Sequence, residues 1–245
     1  MIRNTFLIFN NIGEKRERRY WLNGILEWEQ LMNVATGALL RKEIEMAYFH
    51  WKMRDLPFFF RKLPPTSRWR LLNDFQDQIA FIDIECAVSY SSRKLMLVGI
   101  YFRGKYTALL RGKNLFRSAF LDAVGQASLL CTFNGDRYDL PLLRMEGLIA
   151  EEEYCSLDIM SVARHAGYAG GLKKVEANVG VKRQLFTRLS AEGMTGYLWR
   201  RWEKGSRAAL NLLMKYNEED TRNLRPLSMK LYENMRRKCL EHIGV

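Results

Sequence analysis

The spacing of hydrophobic positions changes near residue 75. Before it, Gly24 to Asn33 and Glu43 to Arg54 carry Trp, Leu and charged residues with apolar positions three and four apart, as in helices that bury one face. Leu63-Pro64-Pro65-Thr66 interrupts that pattern, because two prolines forbid a continuing helix. Ser67 or a neighbour then caps a short helix through Trp69 and Leu72. From Gln78 onward, short apolar runs replace the helical stripes. Ile79 to Ile84 has strand composition, Leu95 to Phe102 is a second strand, and Lys105 to Leu110 a third, joined to the second by Arg103-Gly104 as a hairpin turn. Asn114 to Val124 reads as a helix and Ser128 to Phe133 as another buried strand. Helical spacing then prevails over about 138–147, 159–167, 171–179, 205–219 and 221–240. The pattern predicts an α/β fold, a mixed β-sheet flanked by helices over 76–245, with a helical N-terminal extension over 1–75.

Composition narrows the class of protein. A hydrophobic content of 48% in 245 residues supplies a full core and excludes a disordered chain. The apolar runs, such as Phe6 to Phe9 and Leu56 to Phe60, fall far short of the roughly 20 residues a membrane span needs. No basic segment leads into an apolar stretch at the N-terminus, so a cytoplasmic protein without a signal peptide is the expectation. Four scattered cysteines and three scattered histidines offer no zinc-binding spacing. The net charge of +12 favours a phosphate-rich partner, nucleic acid or an anionic surface, since neutralising phosphates releases counterions.

Three acidic motifs carry the candidate chemistry. In F-I-D-I-E, Asp83 and Glu85 stand two apart and share one face of a strand. Two acids on one face of an apolar strand repel each other and resist desolvation unless a cation compensates them. The plainer reading ends the strand at Asp83 and leaves both acids solvated. In T-F-N-G-D-R-Y-D-L-P, a strand hands over to a helix through Asn134-Gly135. There Asp139 is either an ordinary helix N-cap or a ligand at the strand-to-helix turn. In K-Y-N-E-E-D-T, Tyr216 and Asp220 are four apart and share a helix face; the alternative is a solvated acidic turn.

Taken in chain order, D-x-E on a strand, N-x-x-x-x-D at a strand-to-helix junction and Y-x-x-x-D on a late helix resemble the DnaQ-like 3′–5′ exonucleases, in their DEDDy subgroup. The F-I-D-I-E and F-N-G-D-R-Y-D-L-P-L-L stretches look like the proofreading domain of family B DNA polymerases. The whole chain, including G-E-K-R-E-R-R-Y-W-L-N-G-I-L-E-W near its start, is similar to the YprB-like exonuclease family. Members of that wider family often carry histidine where Tyr216 stands. The resemblance implies a ribonuclease H-like fold and a metal-dependent 3′–5′ exonuclease acting on DNA rather than RNA at single-stranded 3′ ends. It implies Asp83, Glu85, Asp139 and Asp220 as ligands of two divalent cations, Mg²⁺ or Mn²⁺, with no membrane partner. Oxygen-only carboxylate sites suit these hard ions, and a pair about 3.5–4 Å apart clamps an in-line displacement at phosphorus. In the implied scheme Asp83 bridges both ions, Glu85 and Asp220 complete the nucleophile side, and Asp139 serves the leaving-group side. Tyr216 orients the water, because a phenol of pKa about 10 is a poor general base at neutral pH. The expected product is a 5′-mononucleotide.

Substrate contacts are expected at Asn134, at Tyr138 as a stacking ring, and at Arg16, Arg18 and Arg19 beside Lys15 in the extension. That basic run should stay solvated, while Trp21, Leu22, Ile25, Leu26 and Trp28 fit the buried face of a following helix. Lys173, Lys174, Lys182 and Arg183 form a second basic cluster, read as a solvated helix face in preference to a phosphate contact. Asp158 reads as a helix N-cap. Two rival readings share the same acids: an inert nucleic-acid-binding or scaffold module of this fold, and a ribonuclease H-type endonuclease.

Overall fold

The computed structural model describes residues 1–88, 93–184 and 194–241. Its backbone separates into two compact units, Met1–Gln78 with Leu231–Val245, and Ile79–Lys230. The first unit is helical, with α1 (Glu14–Leu22), α2 (Trp28–Val34), α3 (Ala38–Lys52), α4 (Leu56–Lys62) and α5 (Leu71–Asp74). Leu63 ends α4 in an extended conformation, and Pro65–Arg70 forms a tight three-ten turn, as the prolines require. Trp28 is fully buried at its centre, stacked on Phe59 and met edge-on by Phe9, Tyr48 and Trp51. A buried ion pair, Arg70 to Glu17 at 2.8 Å, ties α1 to the three-ten turn.

The basic run differs from its expected setting. Arg16, Arg18 and Arg19 are themselves part of α1, which ends at Leu22. Gly24, at φ +78°, turns the chain before α2, so Trp21 and Trp28 bury from two separate helices and Leu22 stays 58% exposed. All three arginines are exposed, because Glu17 and Trp21 take the inward face of α1.

The second unit is built on a five-stranded sheet in the order β3-β2-β1-β4-β5. The strands are β1 (Ile79–Val88), β2 (Arg93–Phe102), β3 (Lys105–Leu110), β4 (Leu129–Thr132) and β5 (Cys155–Asp158). β1, β2 and β3 form an antiparallel meander; β4 and β5 run parallel to β1. Around them lie α6 (Arg117–Val124), α7 (Asp139–Met145), α8 (Ile159–His165), α9 (Leu172–Val179), α10 (Met194–Glu203) and α11 (Arg207–Leu240). The expected α/β mixed sheet flanked by helices is thus the fold observed.

Strand alternation gives the sheet two distinct faces. Ala80, Ile82, Val98 and Ile100 pack with Phe120 and Val124 of α6 and Leu140 and Leu143 of α7. On the opposite face Leu97 and Leu110 pack with Leu198 and Trp199 of α10 and Leu210 and Leu213 of α11. Between Glu85 and Cys86 the pairing slips: Glu85 faces Leu97 and Cys86 faces Leu95, so Met96 is the extra residue of a bulge. The bulge lets Met96 and Leu97 both join the α10/α11 cluster.

Three elements differ from expectation. β5 has only four residues, C-S-L-D, too few for an alternating pattern. α10 was not anticipated. α11 runs unbroken through Thr221 and even through Pro226, where Leu224, Leu227 and Leu231 are buried on either side of the proline. That burial offsets the backbone bond that proline removes.

Candidate active site

Asp83 pairs with Gly99 across the β1–β2 ladder. Gly99 is the residue that lets α11 approach. A Cβ at this position would lie 1.9 Å from Asn217 Oδ1 and 2.6 Å from Thr221 Oγ1. Asn217, fully buried, reaches across this gap. Its side-chain amide donates to Asp83 Oδ2 at 2.8 Å and to the Asp83 carbonyl at 3.1 Å, and its own oxygen accepts from the Tyr106 hydroxyl at 2.7 Å. Sequence reasoning missed Asn217 and Gly99. Asn217 lies one residue after Tyr216 inside the third motif, but nothing in its local spacing marks it as the partner of Asp83.

Asp139 arrives from the other side of β1. After β4, Asn134 takes a left-handed conformation at φ +64°, and Gly135 fits where a Cβ would fall 2.3 Å from Thr132 Oγ1. Asp158, at the end of β5, caps α8 by accepting from the Met160 amide at 2.9 Å. It also accepts from the Asn134 amide at 2.7 Å, so one carboxylate fixes both the cap and the turn. The chain then enters α7 with Asp139 as its first residue, not as its N-cap; Tyr138 holds that position without a side-chain capping bond. Asn134 is half-buried and Tyr138 is 39% exposed, with the Arg137 guanidinium over its ring.

These elements bring Asp83, Glu85, Asp139 and Asp220 within electrostatic reach of one another. Burial, then the charges of Asp220, Glu85 and Asp139, hold Asp83 well above the usual carboxylate range, against the Asn217 hydrogen bond. Burial, then Asp220 and Asp139, push Glu85 up to about 8, while the Lys173 charge lowers it. Burial and Asp158 raise Asp139 to about 7. Asp220 is also raised by burial, although the Arg183 guanidinium beside it pulls the other way. Tyr216, one turn before Asp220, is half-buried and packs against the α10/α11 cluster. Four half-buried carboxylates that oppose one another's charge form a site suited to added positive charge.

The donor chemistry fits hard divalent cations: every candidate ligand is a carboxylate oxygen, and the repulsion among them is what such ions relieve. Among the described residues no three acidic, imidazole or thiol side chains are grouped to hold one, and Asp220 is turned into an ion pair with Arg183. That pair corrects the reading of the second basic cluster. Lys173, Lys174 and Lys182 are exposed as expected, but Arg183 is buried and bound to acids. The exposed Arg16, Arg18 and Arg19 belong to the first compact unit, whereas all four acids belong to the second.

No described helix is long and apolar enough to cross a membrane. No curated protein matches the chain in sequence. The family model of the RNase H superfamily matches residues 80–232, more than half the chain, from the second residue of β1 past the third acidic motif. Its match and the sheet order agree, and the chain belongs to the RNase H superfamily, which points to nuclease-type chemistry and to nucleic acid as its partner.

Proposed function

We propose that this protein is a DnaQ-like 3′–5′ exonuclease of the DEDDy type, related to the YprB-like enzymes, that hydrolyses phosphodiester bonds at single-stranded DNA ends and releases 5′-mononucleotides. The observation that carries the reading is the convergence of Asp83, Glu85, Asp139 and Asp220 from β1, α7 and α11, where burial and mutual repulsion oppose their charge. These four side chains would hold two Mg²⁺ or Mn²⁺ ions. Such ions supply Lewis acidity to the scissile phosphate and lower the proton affinity of water. Asn217 fixes the Asp83 carboxylate through its 2.8 Å hydrogen bond, so that rotamer needs no ordering when substrate arrives. Tyr216 orients the attacking water by a hydrogen bond. Beside Asp139 a cavity of about 450 Å³, lined by Ile84, Tyr138, Pro141, Leu142 and Met145 among others, suits the terminal base. Asn134, the other expected contact, stands three residues before Arg137, which lines the cavity.

The test uses end-labelled single strands, linear duplexes and closed circles of DNA and RNA, with Mg²⁺, Mn²⁺ or chelator. Mononucleotides released from 3′ ends, only with metal and never from circles, are expected. Cutting of circles would assign the endonuclease reading instead. The Arg183–Asp220 ion pair is the observation that favours the inert-module reading, and that reading requires no cleavage of any substrate with either metal.

Two further outcomes follow from the assigned roles. Tyr216→Phe should slow hydrolysis about 10²–10⁴-fold, the range for losing one positioned hydrogen-bonding group, with Mn²⁺ affinity unchanged by calorimetry. Collapse of Mn²⁺ binding would reassign Tyr216. Reversing the charge of Arg16, Arg18 and Arg19 together should weaken substrate binding and flatten the dependence of log affinity on log salt, with turnover at saturation preserved. An unchanged salt slope would leave these arginines as plain surface.

A further inference from the structure

α9 ends at Gly180, whose left-handed backbone at φ +81° closes the helix. The chain then alternates, burying Val181 and Arg183 and exposing Lys182 and Gln184. This short segment is anchored at both ends. Lys230 Nζ donates to the Gly180 carbonyl at 2.7 Å, and the Gln184 amide donates to the Glu219 carboxylate at 2.6 Å. The Arg183 guanidinium, 5% exposed, is thereby held among three carboxylates. Its Nε pairs with Glu176, one terminal nitrogen pairs with Asp220, and the other lies 3.9 Å from Glu219.

The three contacts are not equivalent. Glu176 is 1% exposed, so it cannot lose its cation without stranding a buried charge. Asp220 is 23% exposed and belongs to the acid cluster, where three other carboxylates compete for any positive charge. Arg183 is therefore fixed from behind by Glu176 while its hold on Asp220 faces the site.

We propose that Arg183 is a positioning residue, a resident counter-ion that neutralises Asp220 in the metal-free protein and releases it when divalent cations enter the site. The inference rests on the metal-site reading above. Releasing Asp220 leaves Arg183 with Glu176 and Glu219, so no buried guanidinium is stranded. The cost of that release sets a threshold on cation affinity.

Calorimetric titration with Mn²⁺ alone tests this on the full chain. The variants are Arg183→Gln and the double variant Arg183→Gln/Glu176→Gln, whose net charge equals that of the parent. Both are expected to bind Mn²⁺ about tenfold more tightly, since the competing pair is gone. Equal or weaker binding by the double variant overturns the inference, because tighter binding by Arg183→Gln alone would then reflect only the changed field. If either glutamine variant fails to fold, as judged by circular dichroism, Arg183→Lys decides. It keeps a cation but loses the fork that grips two carboxylates at once, so it should bind Mn²⁺ more tightly than the parent; parental or weaker affinity overturns the inference. Failure of the parent and every variant to bind Mn²⁺ defeats the metal-site reading as well. Parent binding with no gain in the variants defeats this inference alone.

Discussion

Asp83→Asn is expected to abolish hydrolysis while raising the melting temperature of the metal-free protein. The two effects have one origin. Asp83 sits where burial and three neighbouring acids oppose its charge, so ionised Asp83 contributes nothing to the metal-free fold and raises its energy. Asparagine keeps the shape and still accepts from Asn217, which now donates at 2.8 Å. The same change removes the carboxylate assigned to both cations, and loss of that stabilisation should lower activity about a thousandfold or more. The pH dependence carries a definite sign. Glu85 at about 8 and Asp139 at about 7 are raised above the unfolded carboxylate range, as is Asp83. The folded protein thus holds protons that the unfolded chain has already released, and metal-free stability falls as pH rises from about 4 to about 8. The advantage of Asp83→Asn over the parent should therefore widen across that window, and saturating Mn²⁺ should restore the parent. Melting curves at pH 5 and pH 9, with and without Mn²⁺, decide the matter. A metal-free Asp83→Asn protein that melts below the parent at pH 9 would make the acid cluster structural.

The elements that could be read from sequence are those whose signal is local. β1, β2 and β3 announce themselves through apolar runs and the Arg103-Gly104 turn, where both residues adopt positive φ. Four carboxylates were visible because each lies in a motif whose neighbours set its local geometry: alternation for Asp83 and Glu85, a strand-to-helix turn for Asp139, one helical turn for Tyr216 and Asp220. β5 was invisible for the opposite reason. Its four residues become a strand only because β4 offers a parallel edge to Cys155, Ser156, Leu157 and Asp158. The break expected near Thr221 does not occur, because the burial that carries α11 through Pro226 is tertiary. Arg183 shows the same limit at the site. In sequence it stands in a run of lysines and shares their charge, and only the fold separates it by turning it inward onto Glu176 and Asp220.

Gly99→Ala probes the contact on which the whole site depends. The new Cβ would stand 1.9 Å from Asn217 Oδ1 and 2.8 Å from Asn217 Cγ, so the asparagine must move or α11 must lift from the sheet. Overpacking of this kind costs about 1–3 kcal/mol. Displacing Asn217, which is fully buried and bonded to both Asp83 and Tyr106, strands polar groups at a further cost of about 1–3 kcal/mol. Together these lower the melting temperature by about 10 °C for a chain of this size. Activity should fall further than stability, because Asp83 loses its fixed rotamer and α11 carries Asp220 out of register with β1. A cycle with Asn217→Ala separates the clash from general damage. Truncating Asn217 removes two of the three atoms that crowd the new methyl group, leaving only Thr221 Oγ1 at 2.6 Å, which is held to the Asn217 carbonyl. The double variant should therefore be more stable than the sum of the single changes allows. Strict additivity, or a Gly99→Ala protein that melts with the parent, would show that α11 does not rest on β2 at this glycine and that the close approach positioning Asp83 is not required.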